Sequence, residues 1–391
     1  MAGARLVWMK QLGTAGEDDA YSIAVDRSGR VYLAGYTAGA LGSENAGGND
    51  AWLAQYDADG NQRWLCQLGG AGDDEANGVA IAPNGQIYII GYTYNEPPGT
   101  ASGDRQATAW LACYDEQGNR HWHHPLGLEV PHIPTSLTID QDGHLYITGY
   151  TAPEQDHWQG WLACYGADGQ PRWRRSLGHH RKDVIAYAAV SPTQHLYLIS
   201  NAVSPAAASS ETALWLACYD HQGEPQWQQP LGPGDETSCS GLAVDGADHI
   251  YVVGLSDRPD TEHHQAWLAK YDGQGQQLWQ QTLGQGTVEE EATAIAVDAA
   301  SQVYLAGFTY GAIAGENAGD ADAWVACYSP EGELRWAQQI GTAGEDGCNA
   351  VAVDAEGHVY LAGYTDSALE GNHAGDYDAW LAKLEPLPRL V

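Results

Sequence analysis

The chain has 391 residues, with 51 Asp and Glu against 17 Lys and Arg and a formal net charge of −34. That balance excludes phosphate-backbone and anionic membrane binding, because both need clustered cations to displace counterions. Fifteen Trp and 22 Tyr against a single Phe, together with 48 Gly, point instead to large flat side chains packed between sheets joined by tight turns.

The first predicted strand, residues 6–13, carries Trp8. Four more follow in residues 20–26, 30–36, 50–57 and 62–69. The first of these alternates small and apolar residues, and Arg27, Ser28 and Gly29 turn it into the second, which contains Val31, Tyr32, Leu33, Ala34 and Gly35. A long loop leads to the third strand, which holds Trp52, and a tight corner at residues 58–61 leads to the fourth, which holds Trp64. Asp and Gly at both tight corners supply side-chain caps and positive φ.

This four-strand unit is rewritten along the whole chain. Its second-strand tyrosines, Tyr32, Tyr88, Tyr146, Tyr197, Tyr251, Tyr304 and Tyr360, are spaced by 51 to 58 residues, the signature of a propeller or a solenoid. The third-strand tryptophans, from Trp52 through Trp110 and Trp161 to Trp380, keep one phase and are read as packing between neighbouring sheets. The seventh copy stops after its third strand, residues 378–384, whereas residues 6–13 match the fourth strand of every other copy. Pairing the two ends closes a circle and removes the exposed edges that a linear array would leave. The expectation is one all-β domain over residues 1–391. It is a seven-bladed β-propeller of four-stranded antiparallel blades, its ring closed by the N-terminal strand near residues 5–13 acting as the outer strand of the last blade beside residues 347–385. A chain that begins on a fourth strand and ends just past a third also predicts a complete module.

The recurring runs Ile-Ala-Val-Asp, Val-Tyr-Leu-Ala-Gly-Tyr-Thr and Asp-Ala-Trp-Leu-Ala, seen first within residues 20–37 and 50–60, resemble the bacterial SBBP-type β-propeller repeat, a relative of NHL-type repeats. The resemblance covers residues 5–385 and implies the fold but no particular activity. Blades three to five depart most from it: Ser200 and Asn201 replace Gly-Tyr in blade four, and Leu255 and Ser256 replace Tyr-Thr in blade five.

No stretch approaches the roughly 18 apolar residues of a membrane-spanning helix, and the N-terminus lacks the apolar run of a signal peptide. The seven cysteines include Cys113, Cys164, Cys218 and Cys327 at one repeat position and Cys239 and Cys348 at another, too far apart to pair. They read as small apolar side chains in a reducing compartment. A cytoplasmic protein is expected, with an extracellular location left open.

In such a ring the short first-to-second and third-to-fourth corners lie on one face, and the long, variable second-to-third and fourth-to-first loops on the other. Rigid scaffolds display binding residues on loops of the second kind. The fourth-to-first loops contribute Glu17, Asp18 and Asp19, Asp73, Asp74 and Glu75, and Glu345 and Asp346 to an expected acidic rim, and Arg181 and Lys182 to one basic sector. Asp50, Asp322 and Asp378 precede third strands in near-copied loops. They read as Asx-type turn caps or, at lower weight, as oxygen ligands for Ca2+. Trp158, Tyr94 and Tyr310 fall in or beside second-to-third loops and are the aromatic candidates for stacking on a glycan. The His121, His123 and His124 run offers at most a two-ligand surface site. There is no nucleophile elbow and no phosphate-binding Gly-rich loop, so no catalytic residue is assigned. Two functional expectations follow. The first is a non-enzymatic scaffold that uses the variable acidic face to hold a protein with a basic segment. The alternative is a glycan-binding or small-molecule-binding propeller, or a hydrolase or lyase, with a cation near the channel mouth.

Overall fold

A computed structural model describes residues 3–95, 106–127, 132–151, 158–180, 186–200, 214–231, 237–257, 264–283 and 289–387. The described chain is all-β, and none of it forms a helix long and apolar enough to cross a membrane. Asp18–Val25, Val31–Thr37, Asp50–Tyr56 and Gln62–Leu68 form an antiparallel four-stranded sheet in sequence order. The same order recurs within residues 73–125, 132–180 and 186–231. It recurs again within 237–282 and 290–340, where the two sets are joined by one parallel bridge, Gln265 to Glu290. Asp346–Val353, Val359–Thr365 and Asp378–Pro386 take their fourth strand from the other end of the chain, Ala4–Leu12, with Gln11 opposite Trp380.

The sheets stack through their second and third strands, which are buried on both faces. Trp52 and Trp380 are fully buried, and each indole donates to a second-strand carbonyl, Tyr36 at 2.8 Å and Tyr364 at 2.9 Å. Fourth-strand tryptophans reach across to the following sheet. Trp64 donates to the Glu116 carbonyl at 3.0 Å, Trp227 to Gly273 at 3.2 Å, and Trp8 to Ala58 at 3.0 Å. None of the seven cysteines is in a disulfide, and burial pushes the Cys113 thiol up to about 11 and those of Cys239 and Cys348 up to about 12.

The innermost strands carry a device that the repeat pattern does not announce. In most sheets the pairing of first and second strands skips one residue: Tyr21, Asn77, Thr135, Ser240, Thr293 or Asn349. Each bulge brings the first strand's carbonyl against a glycine of the second, so that a Cβ on Gly35 would overlap the Asp19 carbonyl oxygen. Where Ser200 replaces that glycine the pairing of Ala186–Val190 with Leu196–Ser200 runs without a shift. The bulged side chains bridge to the next sheet at the equivalent carbonyl. Asn77 donates to Pro134 at 3.1 Å, Thr135 to Ala186 at 2.7 Å, and Asn349 to Ala20 at 3.3 Å.

Candidate functional site

Three aspartates at first-strand entrances close the loops that precede them. Asp18 accepts from the Thr14 amide at 2.5 Å and the Thr14 hydroxyl at 2.9 Å, and Asp346 repeats this with Thr342 at 2.5 and 2.8 Å. Asp74 accepts from the Gly70 amide at 2.7 Å and from the Thr93 hydroxyl. All three are buried, and burial pushes their carboxyls above the ordinary value.

Asp50, Asp322 and Asp378 do the equivalent work at third-strand entrances. One oxygen of each accepts a loop amide four residues back, from Ala46, Ala318 or Ala374, all at 2.9 Å. The same oxygen accepts a fourth-strand glutamine amide: Gln67 at 2.8 Å, Gln339 at 2.7 Å or Gln11 at 2.7 Å. These aspartates cap their loops as the sequence suggests, but by bonding back to the loop's start rather than forward as an Asx turn would, and a cross-strand bond reinforces each. The other oxygen, Oδ1, is buried without a hydrogen-bond partner in all three, as it is in Asp18 and Asp346. It lies against Gly69, Gly341 or Gly13, where any Cβ would overlap it.

The expected acidic rim therefore divides. Glu17 is exposed and Asp73 and Glu345 are half-buried, with Glu345 accepting from the Tyr377 hydroxyl at 2.9 Å. Asp18, Asp74 and Asp346 are loop staples, and Asp19 is buried beside the axis, so burial removes all four from a direct docking surface. Exposed Glu44, Glu316, Asp320 and Asp376 take their place on the same face. Arg181 and Lys182 lie outside the described residues, as does the side chain of Trp158, whose backbone begins the strand Trp158–Tyr165. Tyr310 is exposed, its ring edge-on to Phe308, and Tyr94 is edge-on to Tyr92 at 5.1 Å. The histidine run does not converge: His124 stacks on Trp122 at 5.0 Å, and His123 packs edge-on to Trp110 at 5.3 Å.

Two groups of ligand-type atoms, Asp140, Asp142 and His144 and the equivalent Asp354, Glu356 and His358, lie within 4.8 Å of one another at first-to-second corners. Asp354 already accepts from two turn amides, the His358 ring at 2.8 Å and the Tyr360 hydroxyl at 2.9 Å. These contacts make it a corner cap, like Asp140 with His144 and Tyr146.

The bulged residues surround a narrow axial cavity of about 210 Å³, to which Tyr21, Asn77, Thr135, Ser240, Thr293 and Asn349 all contribute. On the variable-loop face it widens into a mouth of about 370 Å³ lined by Tyr21, Glu75, Tyr92, Tyr150 and Tyr187 among others. The Tyr92 hydroxyl donates to Glu75 at 2.6 Å, and the Asn349 amide donates to Asp19 at 2.9 Å. Burial first, then the charges of Glu75 and Glu17, push the Asp19 carboxyl up to about 8. Burial, reinforced by Asp73, raises Glu75 as well. A channel mouth was expected from the sequence but its lining was not, because nothing in a repeat marks which residue a bulge will turn toward the axis or which strand ends will meet there.

Three segments, residues 7–42, 63–97 and 335–369, match the family described as "Beta-propeller repeat", SBBP. Over 129 residues the chain is 28% identical to the regulatory protein FlaEY of Caulobacter vibrioides, an alignment that spans 30% of this chain and only 14% of that protein. Among solved structures, a puromycin hydrolase is similar over 93% of this chain and 54% of its own, with a TM-score of 0.56 at 14% identity. An ulvan lyase of polysaccharide lyase family PL25 is similar over 95% of both chains, with a TM-score of 0.55 at 11% identity. The acylaminoacyl peptidase of Pyrococcus horikoshii is similar over 94% of this chain and 52% of its own, with a TM-score of 0.52 at 12% identity. The chain thus spans about half the length of the hydrolase and the peptidase. At such identities the likeness is one of fold.

Proposed function

Because the chain is an SBBP-type β-propeller repeat protein, we propose that it forms a single seven-bladed ring, closed by its N-terminal strand, and that the ring is a non-enzymatic scaffold. Its variable-loop face holds a protein partner through a basic segment of that partner. Closure is supported by the pairing of Ala4–Leu12 with Asp378–Pro386 and by two bonds that join the last sheet to the first, Trp8 to Ala58 and Asn349 to Ala20.

The observation that carries the docking role is the charge of the face. Glu17, Glu44, Glu316, Asp320 and Asp376 are exposed there, and its described loops, residues 13–17, 38–49, 69–72, 310–321, 341–345 and 366–377, contain no Lys or Arg. Such a surface steers a cationic segment and fixes its register. The test is fluorescence anisotropy with a labelled oligolysine peptide. Wild type should bind at low salt, weaken as salt rises, and lose most of its affinity when Glu17, Glu316 and Asp320 are changed to Gln, Gln and Asn. Binding that ignores both salt and the substitutions refutes the proposal.

A second reading, a cation held at the third-strand entrances of a glycan-binding or small-molecule-binding face, is favoured by the buried, unpartnered Oδ1 atoms of Asp50, Asp322 and Asp378. Calcium prefers several such oxygens. Equilibrium dialysis against Ca2+, read with the melting temperature, decides it: no uptake and no rise in Tm removes this reading.

A further inference from the structure

The mouth of the axial channel combines three features that none of the loops supplies. Glu75 lines it, Asp19 lies behind the lining Asn349, close enough for the charge of Glu75 to oppose its ionisation, and there is no Lys or Arg among the residues that line it. It has a ring of tyrosines, Tyr21, Tyr92, Tyr150 and Tyr187. Its lining carboxylate is also held in place: the Tyr92 hydroxyl donates to Glu75 at 2.6 Å, which fixes the group in advance of binding. Carboxyls held near one another without a counter-charge favour a cation.

We propose that this mouth receives one arginine side chain of the partner, its guanidinium bonded to Glu75 and stacked against the tyrosine rings. The proposal rests on the docking role of the variable-loop face and names what that face anchors at its centre. Guanidinium fits better than ammonium for two reasons. It is planar, so it can bond a carboxylate through its edge while lying flat on an aromatic ring, and it loses less hydration than an ammonium on entering such a site. A neutral sugar would stack on the same rings but would leave Glu75 and Asp19 opposed. Binding a cation favours the ionised form of Asp19, so capture should release a proton near neutral pH and tighten as pH rises toward 8. The groups that face Asp19 and share this field are Glu17, Glu75, Tyr21, Tyr36 and Tyr364.

The test is isothermal titration of the full chain with N-acetyl-arginine methylamide, its lysine counterpart, its neutral citrulline counterpart, and a neutral disaccharide. The arginine compound should bind at least about fivefold more tightly than the lysine one, and citrulline and the disaccharide should bind more weakly still. Glu75→Gln should weaken arginine binding about tenfold or more, the loss expected of one charge-assisted hydrogen bond. Asp19→Asn should abolish the proton release while leaving the melt cooperative, which gives a readout that does not depend on the Glu75 variant folding. Citrulline binding as tightly as arginine, or the disaccharide outcompeting it, overturns the proposal. The broader docking role fails separately: oligolysine capture should survive Glu75→Gln but not neutralisation of Glu17, Glu316 and Asp320.

Discussion

Asp19 offers a sharp test of the buried charge at the axis. Its carboxyl is 8% exposed, accepts one amide from Asn349, and is raised from an ordinary 3.8 to about 8 by burial and by Glu75 and Glu17. The native state therefore binds this proton more tightly than the unfolded chain does. Its contribution is fully present below pH 4, where both states are protonated. It is lost as pH rises toward 8, where the unfolded chain ionises freely and the native chain resists. Each pH unit in that window costs about 1.4 kcal/mol, so the whole window amounts to on the order of 5 kcal/mol. Asp19→Asn keeps an acceptor for Asn349 and cannot ionise. Urea unfolding of both proteins at pH 5, 7 and 9 should show the Asn variant gaining stability relative to wild type as pH rises, with most of the change complete by pH 8. A difference that stays constant within about 1 kcal/mol across this range would mean that Asp19 is not held protonated by its surroundings.

Gly35→Ala should destabilise by about 2 kcal/mol or more, because its Cβ would meet the Asp19 carbonyl at the bulge. Ser200→Gly, where no bulge exists, should change stability by only about 1 kcal/mol; equal effects on urea midpoints would refute the link between glycine and bulge. Asp378→Ala removes the acceptor of the Ala374 amide and the Gln11 side chain and should cost about 1–3 kcal/mol, read as a lower Tm. Deleting residues 1–12 leaves the strand Asp378–Pro386 without its neighbour and should drive association through the exposed edge, detectable by size-exclusion chromatography with light scattering. A truncated chain that stays monomeric with an unchanged Tm would refute closure by the N-terminal strand.

Much of the fold was legible because it is written in residues that act locally. The Val-Tyr-Leu-Ala-Gly run declares a buried strand by its β-branched and aromatic content, and the Asp and Gly of each corner declare a hairpin by the backbone they permit. Repetition then makes each copy a check on the others, and the mismatch between residues 6–13 and the truncated last copy pointed to the pairing of Ala4–Leu12 with Asp378–Pro386. That Asp50, Asp322 and Asp378 cap their loops was legible for the same reason, since the bond closes over a few residues of one chain segment, although it runs back to the amide four residues earlier rather than forward as in an Asx turn.

The candidate site was far less legible. Asp18, Asp74 and Asp346 look like surface acids in a loop, yet they are buried, because the two or more donors each ties down offset part of the cost of taking its carboxyl out of water. Glu17 stands one residue from Asp18 in the chain and is exposed, and composition cannot separate them. Sequence by itself determined the strands, their order and the corners, all of which depend on neighbours a few residues apart. Only the tertiary structure decided which side chains the bulges turn toward the axis, and that Glu75, Asn77 and four tyrosines from different sheets line one mouth with Asp19 behind it. Their proximity is set by how sheets pack around an axis, and no periodicity within a single repeat encodes it.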